Sequence, residues 1–165
     1  MFISLAVALG YAFAAVPNIE LVSLTLAFAG FYLGTIWGGI VSMIGFGLYS
    51  LLSPYGLAPP PLLISQLLGG FIIGSLGSLI AYVHDKCRCK ISIITLSIIT
   101  GFIGTLLYDI LTNIGSYILI ASKTTFLPFL IGGLGFSTIH IISNTVIFGF
   151  AFPLLIKIRR VLYHS

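Results

Sequence analysis

Long apolar runs separated by short polar interruptions make up nearly the whole chain. The first run, Phe2 to Val16, stops at Pro17-Asn18. The second extends from Ile19 to Leu52. As one helix it would be about 50 Å long at 1.5 Å per residue, well beyond the ~30 Å hydrocarbon core of a bilayer. The pattern therefore predicts two short spans, 19–31 and 33–52. The break is expected within Gly30-Phe31-Tyr32-Leu33-Gly34, where glycine lowers helix stability. A turn-rich segment, Ser53 to Pro60, follows. Further spans are expected over 61–83, 91–114 and 133–156, with 115–132 a long mixed connection holding Lys123 and Pro128. The count is six if the second run is two spans and five if it is one.

Composition makes lipid the solvent for these runs. Charged residues are 6% of the chain, against about 25% in a typical soluble domain. The mean hydropathy is +1.22. The strict alternation of a transmembrane barrel is absent, and helices are the other structure that can span. The expected fold class is all-α: a single polytopic membrane domain, a six-transmembrane-helix bundle.

Charge then sets the orientation. Every lysine and arginine except Lys123 falls in the loop Lys86–Lys90 or the tail Lys157–Arg160. Two spans separate these clusters, so both can lie in the cytoplasm. Four spans before the loop place the N-terminus there too, so both termini are expected to be cytoplasmic. The net charge of +4 is a topology signal and points to no nucleic acid. Cys87 and Cys89 are too few for a closed zinc site and too close for a good disulfide. They are read as free thiols, with no metal and no cofactor.

Small residues recur every fourth position. Ala6, Gly10 and Ala14 form one row of the first helix, and Ala8 and Ala12 another. Gly30, Gly34 and Gly38 repeat the spacing, as do Gly70 and Gly74. Such rows let helix backbones approach closely. The glycine rows are read as internal packing, and the first helix as a face that can dock a partner.

A few polar residues stand out in this background. Asp109 and Asn113 share a helical face, as do His140 and Asn144, while Asn18 and Glu20 follow the first run. Polar groups at membrane depth are costly and are functional-site candidates by default. On the expected topology all six lie toward the outer side. They are read as a ligand-binding set, against the alternative of plain interhelical hydrogen bonds. Trp37, Tyr49, Tyr55 and Gln66 are possible lining residues or interfacial anchors. No HExxH motif and no P-loop occur, so an enzyme is not expected, and ATP-driven transport would take its motor from another chain.

Several segments together resemble a family. They are the alanine-rich first helix, Pro17-Asn18-Ile19-Glu20, the glycine series from Gly30 to Gly47, and Pro54-Tyr55-Gly56. Tyr108-Asp109-Ile110-Leu111-Thr112-Asn113 and His140-Ile141-Ile142-Ser143-Asn144 before a basic tail complete the pattern. In this layout the chain resembles the substrate-binding S component of energy-coupling factor (ECF) transporters, the vitamin importers of prokaryotes. The resemblance implies a six-helix bundle in the cell membrane of a prokaryote, with an outward-facing pocket for one small molecule. It also implies two kinds of partner, a transmembrane coupling protein and two ATPase subunits. The family's docking motif falls on Ala8 and Ala12, or on the neighbouring row Ala6, Gly10 and Ala14. The family's pocket falls on Asp109, Asn113, His140 and Asn144, with Asn18 and Glu20 nearby, and suits a vitamin, a precursor or a nucleobase-like compound.

The function expected is thus the substrate-binding subunit of an ATP-driven importer. The alternatives are a small structural scaffold of a cell-envelope or shape-determining complex, and a stand-alone proton-coupled carrier.

Overall fold

A computed structural model of the chain describes all residues except 17, 54–55, 87–90, 122–124 and 164–165. For residues 85–86 and 159–163 it describes the helix and not the side chains. Pro17, Pro54-Tyr55, the Cys87-Arg88-Cys89 segment with Lys90, and Lys123 therefore lie outside the described residues.

The described chain is all-helical: α1 (Phe2–Ala12), α2 (Val22–Leu33), α3 (Thr35–Leu51), α4 (Pro60–Lys86), α5 (Ile93–Ile120) and α6 (Phe126–Tyr163). Three stretches are long and apolar enough to cross a membrane: Pro60–His84, Ile93–Ile120 and Phe126–Ile158. α1 to α3 are equally apolar and shorter. At 1.5 Å per residue, α2 is about 18 Å long and α3 about 25 Å. The side chains exposed along the helices are largely Leu, Ile and Phe, as expected of a protein whose surface meets lipid.

The long second run divides at Gly34, which ends α2 and begins α3. Its φ of +83° lies in the left-handed region, where only glycine is at ease. The helices flanking the expected 115–132 connection are longer than the pattern suggested, since α5 continues to Ile120 and α6 starts at Phe126. Gly115 does not stop α5, because it is a packing glycine whose added Cβ would strike Ser65 Oγ and Pro61 O of α4. Pro128 lies in the first turn of α6, where a helix leaves its N–H groups unpaired in any case. Tyr117 packs on Phe126 and Phe129, at ring separations of 5.1 and 5.7 Å, and so ties the two ends together. α1 is shorter than expected and passes into a turn at Phe13.

α2, α3, α4, α5 and α6 pack in a ring that closes where α6 meets α2, with α2 also against α4. α1 lies on α2 and α3. Glycine makes the centre possible. A Cβ on Gly30 would overlap the carbonyl of Gly74, and one on Gly77 would overlap that of Ala27. A Cβ on Gly38 would meet the Gly30 backbone. The backbones of α2, α3 and α4 thus touch directly, and dispersion between them replaces side-chain packing.

The two ends of the ring differ in chemistry. Near the C-terminal ends of α2 and α4, Phe28, Phe31 and Phe152 stack edge to face and join Phe148 in an apolar core. Near the start of α2 the interior is polar.

Candidate functional site

The polar end is built from three parts of the chain. Glu20 lies in the connection before α2, Asp109 is midway along α5, and His140 and Asn144 are one turn apart on α6. His140 Nδ1 is 2.7 Å from Asp109 Oδ1, and its Nε2 is 3.0 Å from Asn144 Nδ2. The Asn144 amide also donates to Glu20 Oε1 at 3.3 Å, and His140 Nε2 lies 3.9 Å from the same oxygen. One imidazole is therefore held between two carboxylates, with Asn144 bridging to the second. An Asn144 amide that donates to Nε2 leaves the ring proton on Nδ1, where it is donated to Asp109.

Local structure fixes each group. The Ser23 backbone N–H donates to Glu20 Oε2 at 2.9 Å, so the carboxylate serves the exposed donors at the start of α2. Asn18 holds a left-handed backbone, φ +62°, a conformation that asparagine tolerates better than most residues. Its carbonyl accepts from Ser143 Oγ, which pins the α1–α2 connection to α6. Asn113 Nδ2 donates to the Asp109 carbonyl at 2.8 Å and to Ser137 Oγ at 3.2 Å, joining α5 to α6.

Two cavities flank this network and share the wall formed by Tyr108, Phe136 and His140. The first, about 270 Å³, lies between the end of α1, the α1–α2 connection and α3, and Asn18, Glu20, Phe46 and Tyr49 line it. The second, about 390 Å³, lies between α4, α5 and α6, and Gln66, Asp109, Thr112, Asn113, Ser116 and Ser137 line it. Asp109 is 6% exposed and Asn144 fully buried, yet Asp109 Oδ2 and Asn144 Oδ1 have no hydrogen-bond partner. Gln66 Oε1 is likewise unpartnered, so three of the four such buried atoms among the described residues belong to this region. Unpaired buried acceptors are costly, and a binding site is a common reason to keep them.

The structure brings all six sequence-selected residues to this end of the bundle. Five of them line a cavity, while Asn144 lies behind His140 and positions it. Tyr49 and Gln66 are lining residues, whereas Trp37 is 67% exposed on the outer face of α3. Phe136 and Ser137 did not stand out in sequence, and Tyr108 and Ser143 entered only as neighbours within the segments that carry the resemblance. Ser137 and Ser143 sit three residues either side of His140, a spacing that carries a signal only once His140 is known to face inward. Among the described residues, no group of three His, Cys, Asp or Glu is placed to hold a metal.

The two small-residue rows of α1 also separate. Ala6 and Gly10 are buried, and a Cβ on Gly10 would come within 2.6 Å of the Tyr49 ring. Ala8 and Ala12 are exposed on the opposite face, together with Ser4.

The chain matches no protein-family model, no curated protein and no solved structure.

Proposed function

We propose that this chain is the membrane-embedded substrate-binding subunit of an ATP-driven small-molecule importer, of the S-component type. The observation that carries this is the buried Glu20–Asn144–His140–Asp109 network beside two cavities, in a chain of which only 6% is charged. Interhelical glue alone needs no cavity, whereas five of the six polar residues line one.

In this reading the bundle crosses the cell membrane of a prokaryote six times. The turn residues flanking α1 to α3 complete their shorter spans, and both termini lie in the cytoplasm. The cavities then open outward and receive a vitamin-like substrate. The exposed Ala8–Ala12 face of α1 supports docking on a transmembrane coupling protein, which links the chain to two ATPases. The opposite row, Ala6 and Gly10, is used inside the molecule and is not the docking face. The chain itself performs no catalysis.

Native mass spectrometry of the protein purified gently from its own host tests the proposal. A small molecule released at stoichiometric amount, or co-purification with a coupling subunit and ATPases, supports it. An empty protein bound to envelope-synthesis partners overturns it in favour of a scaffold.

A further inference from the structure

The charges around the cavities restrict what can occupy them. Glu20 lines one lobe and Asp109 the other. Among the described residues, no lysine or arginine lines either lobe. Among the described residues the only basic group there is His140, in contact with both carboxylates. With a neutral imidazole the site carries two negative charges, and with an imidazolium it still carries one. The hydrogen bonds fit ionised carboxylates: Glu20 only accepts in those described for it, and Asp109 accepts when the His140 proton is on Nδ1. Excess negative charge away from water is costly unless a cation offsets it.

The lobes divide the remaining chemistry. Around Glu20 the wall is apolar, with Phe13, Phe46, Tyr49, Tyr108 and Phe136 beside aliphatic side chains. The Glu20 side chain retains 18% exposure, so its carboxylate is within reach of an occupant. A carboxylate in a cavity that aromatic residues also line favours a cation through its charge, and a ring face adds to this where the cation meets one. Around Asp109 the wall instead offers amides and hydroxyls from Gln66, Thr112, Asn113, Ser116 and Ser137. These can both donate to and accept from an uncharged heteroatom-rich group. Asp109 and Gln66, each with a buried unpartnered oxygen, belong to this same wall.

We propose that the substrate is an organic cation, an amine, amidine or N-protonated heterocycle. Its charged group occupies the Glu20 lobe, and its neutral hydrogen-bonding part reaches the Asp109 lobe once the shared wall of Tyr108, Phe136 and His140 opens. This rests on the importer reading above and names its cargo class.

Three probes on one ring test it: benzamidine as the cation, benzamide as the neutral isostere and benzoate as the anion. Binding of each to the full chain in lipid nanodiscs is followed by ligand-observed NMR. Benzamidine is expected to bind about tenfold or more tightly than the other two, the worth of a charge-assisted hydrogen bond. Glu20→Gln keeps an acceptor for Ser23 but sets an amide against the Asn144 donor, so its readout is the ratio of the two affinities within the variant: the advantage of benzamidine over benzamide should be lost. Equal binding of benzamidine and benzamide, or preference for benzoate, overturns the proposal. If Glu20→Gln fails to give a monodisperse protein, the three-probe comparison on the unaltered chain decides. A neutral or anionic compound released at stoichiometric amount from the host-purified protein would overturn the cation assignment and leave the importer intact. If none of the probes binds and the host-purified protein is empty and bound to envelope-synthesis partners, both fail.

Discussion

At the residue scale, the site is one imidazole shared by two carboxylates, and its members have unequal roles. Asp109→Asn keeps an acceptor for His140 Nδ1 and removes only the charge. It is expected to weaken substrate binding about tenfold or more while expression and thermal stability hold. Unchanged affinity by calorimetry would remove Asp109 from the site. Asn144→Ala acts differently, because Asn144 is fully buried and supplies the donor to both His140 and Glu20. Its loss leaves those acceptors bare and should cost about 1–3 kcal/mol of stability, read as a lower thermal midpoint in detergent. An unaltered midpoint would show that the bridge is not maintained. The four-residue spacing of each polar pair was legible in the sequence. The pairing of Asp109 with His140 and the bridge to Glu20 were not, because they join residues far apart along the chain.

At the element scale, glycines that look alike in sequence do different work. Gly30→Ala and Gly77→Ala place a methyl on a neighbouring backbone carbonyl and should destabilise the protein by about 1–3 kcal/mol or prevent its assembly. Gly132→Ala and Gly135→Ala meet open space within α6 and should be neutral or stabilise by up to about 1 kcal/mol. Thermal unfolding of the four variants side by side checks the contrast. The rows of α1 separate in the same way. Ala8→Leu or Ala12→Leu alters only an exposed face, so ligand binding should persist while uptake is lost. Co-purification of the full importer with either variant would show that partner docking lies elsewhere. Gly115 and Pro128 show why element ends were hard to place. A glycine can be a packing contact and a proline can sit in a first turn, and residue type alone distinguishes neither from a stop.

At the scale of the whole molecule, the chain is an apolar ring of helices with the two carboxylates of its interior, Glu20 and Asp109, gathered at one end. Such a body can bind and release a small molecule, and it has no sequence motif for using ATP. Uptake in reconstituted vesicles is therefore expected to cease when the ATPases are omitted and to survive collapse of the proton gradient. Uptake by the chain alone that vanishes with the gradient would make it a proton-coupled carrier instead.

Composition and periodicity by themselves determined that this protein is helical and built for lipid, because 6% charge leaves no other solvent for its surface. They also marked the polar residues that are costly in that setting, which the structure gathers at one end of the bundle. Tertiary structure alone decided which of them meet, which row of α1 faces out, and that Gly34 is the break in the second apolar run. Those outcomes depend on backbone contacts among α2, α3 and α4 and on hydrogen bonds between distant segments. A one-dimensional pattern records the period of a helix but not the neighbour against which it turns its faces.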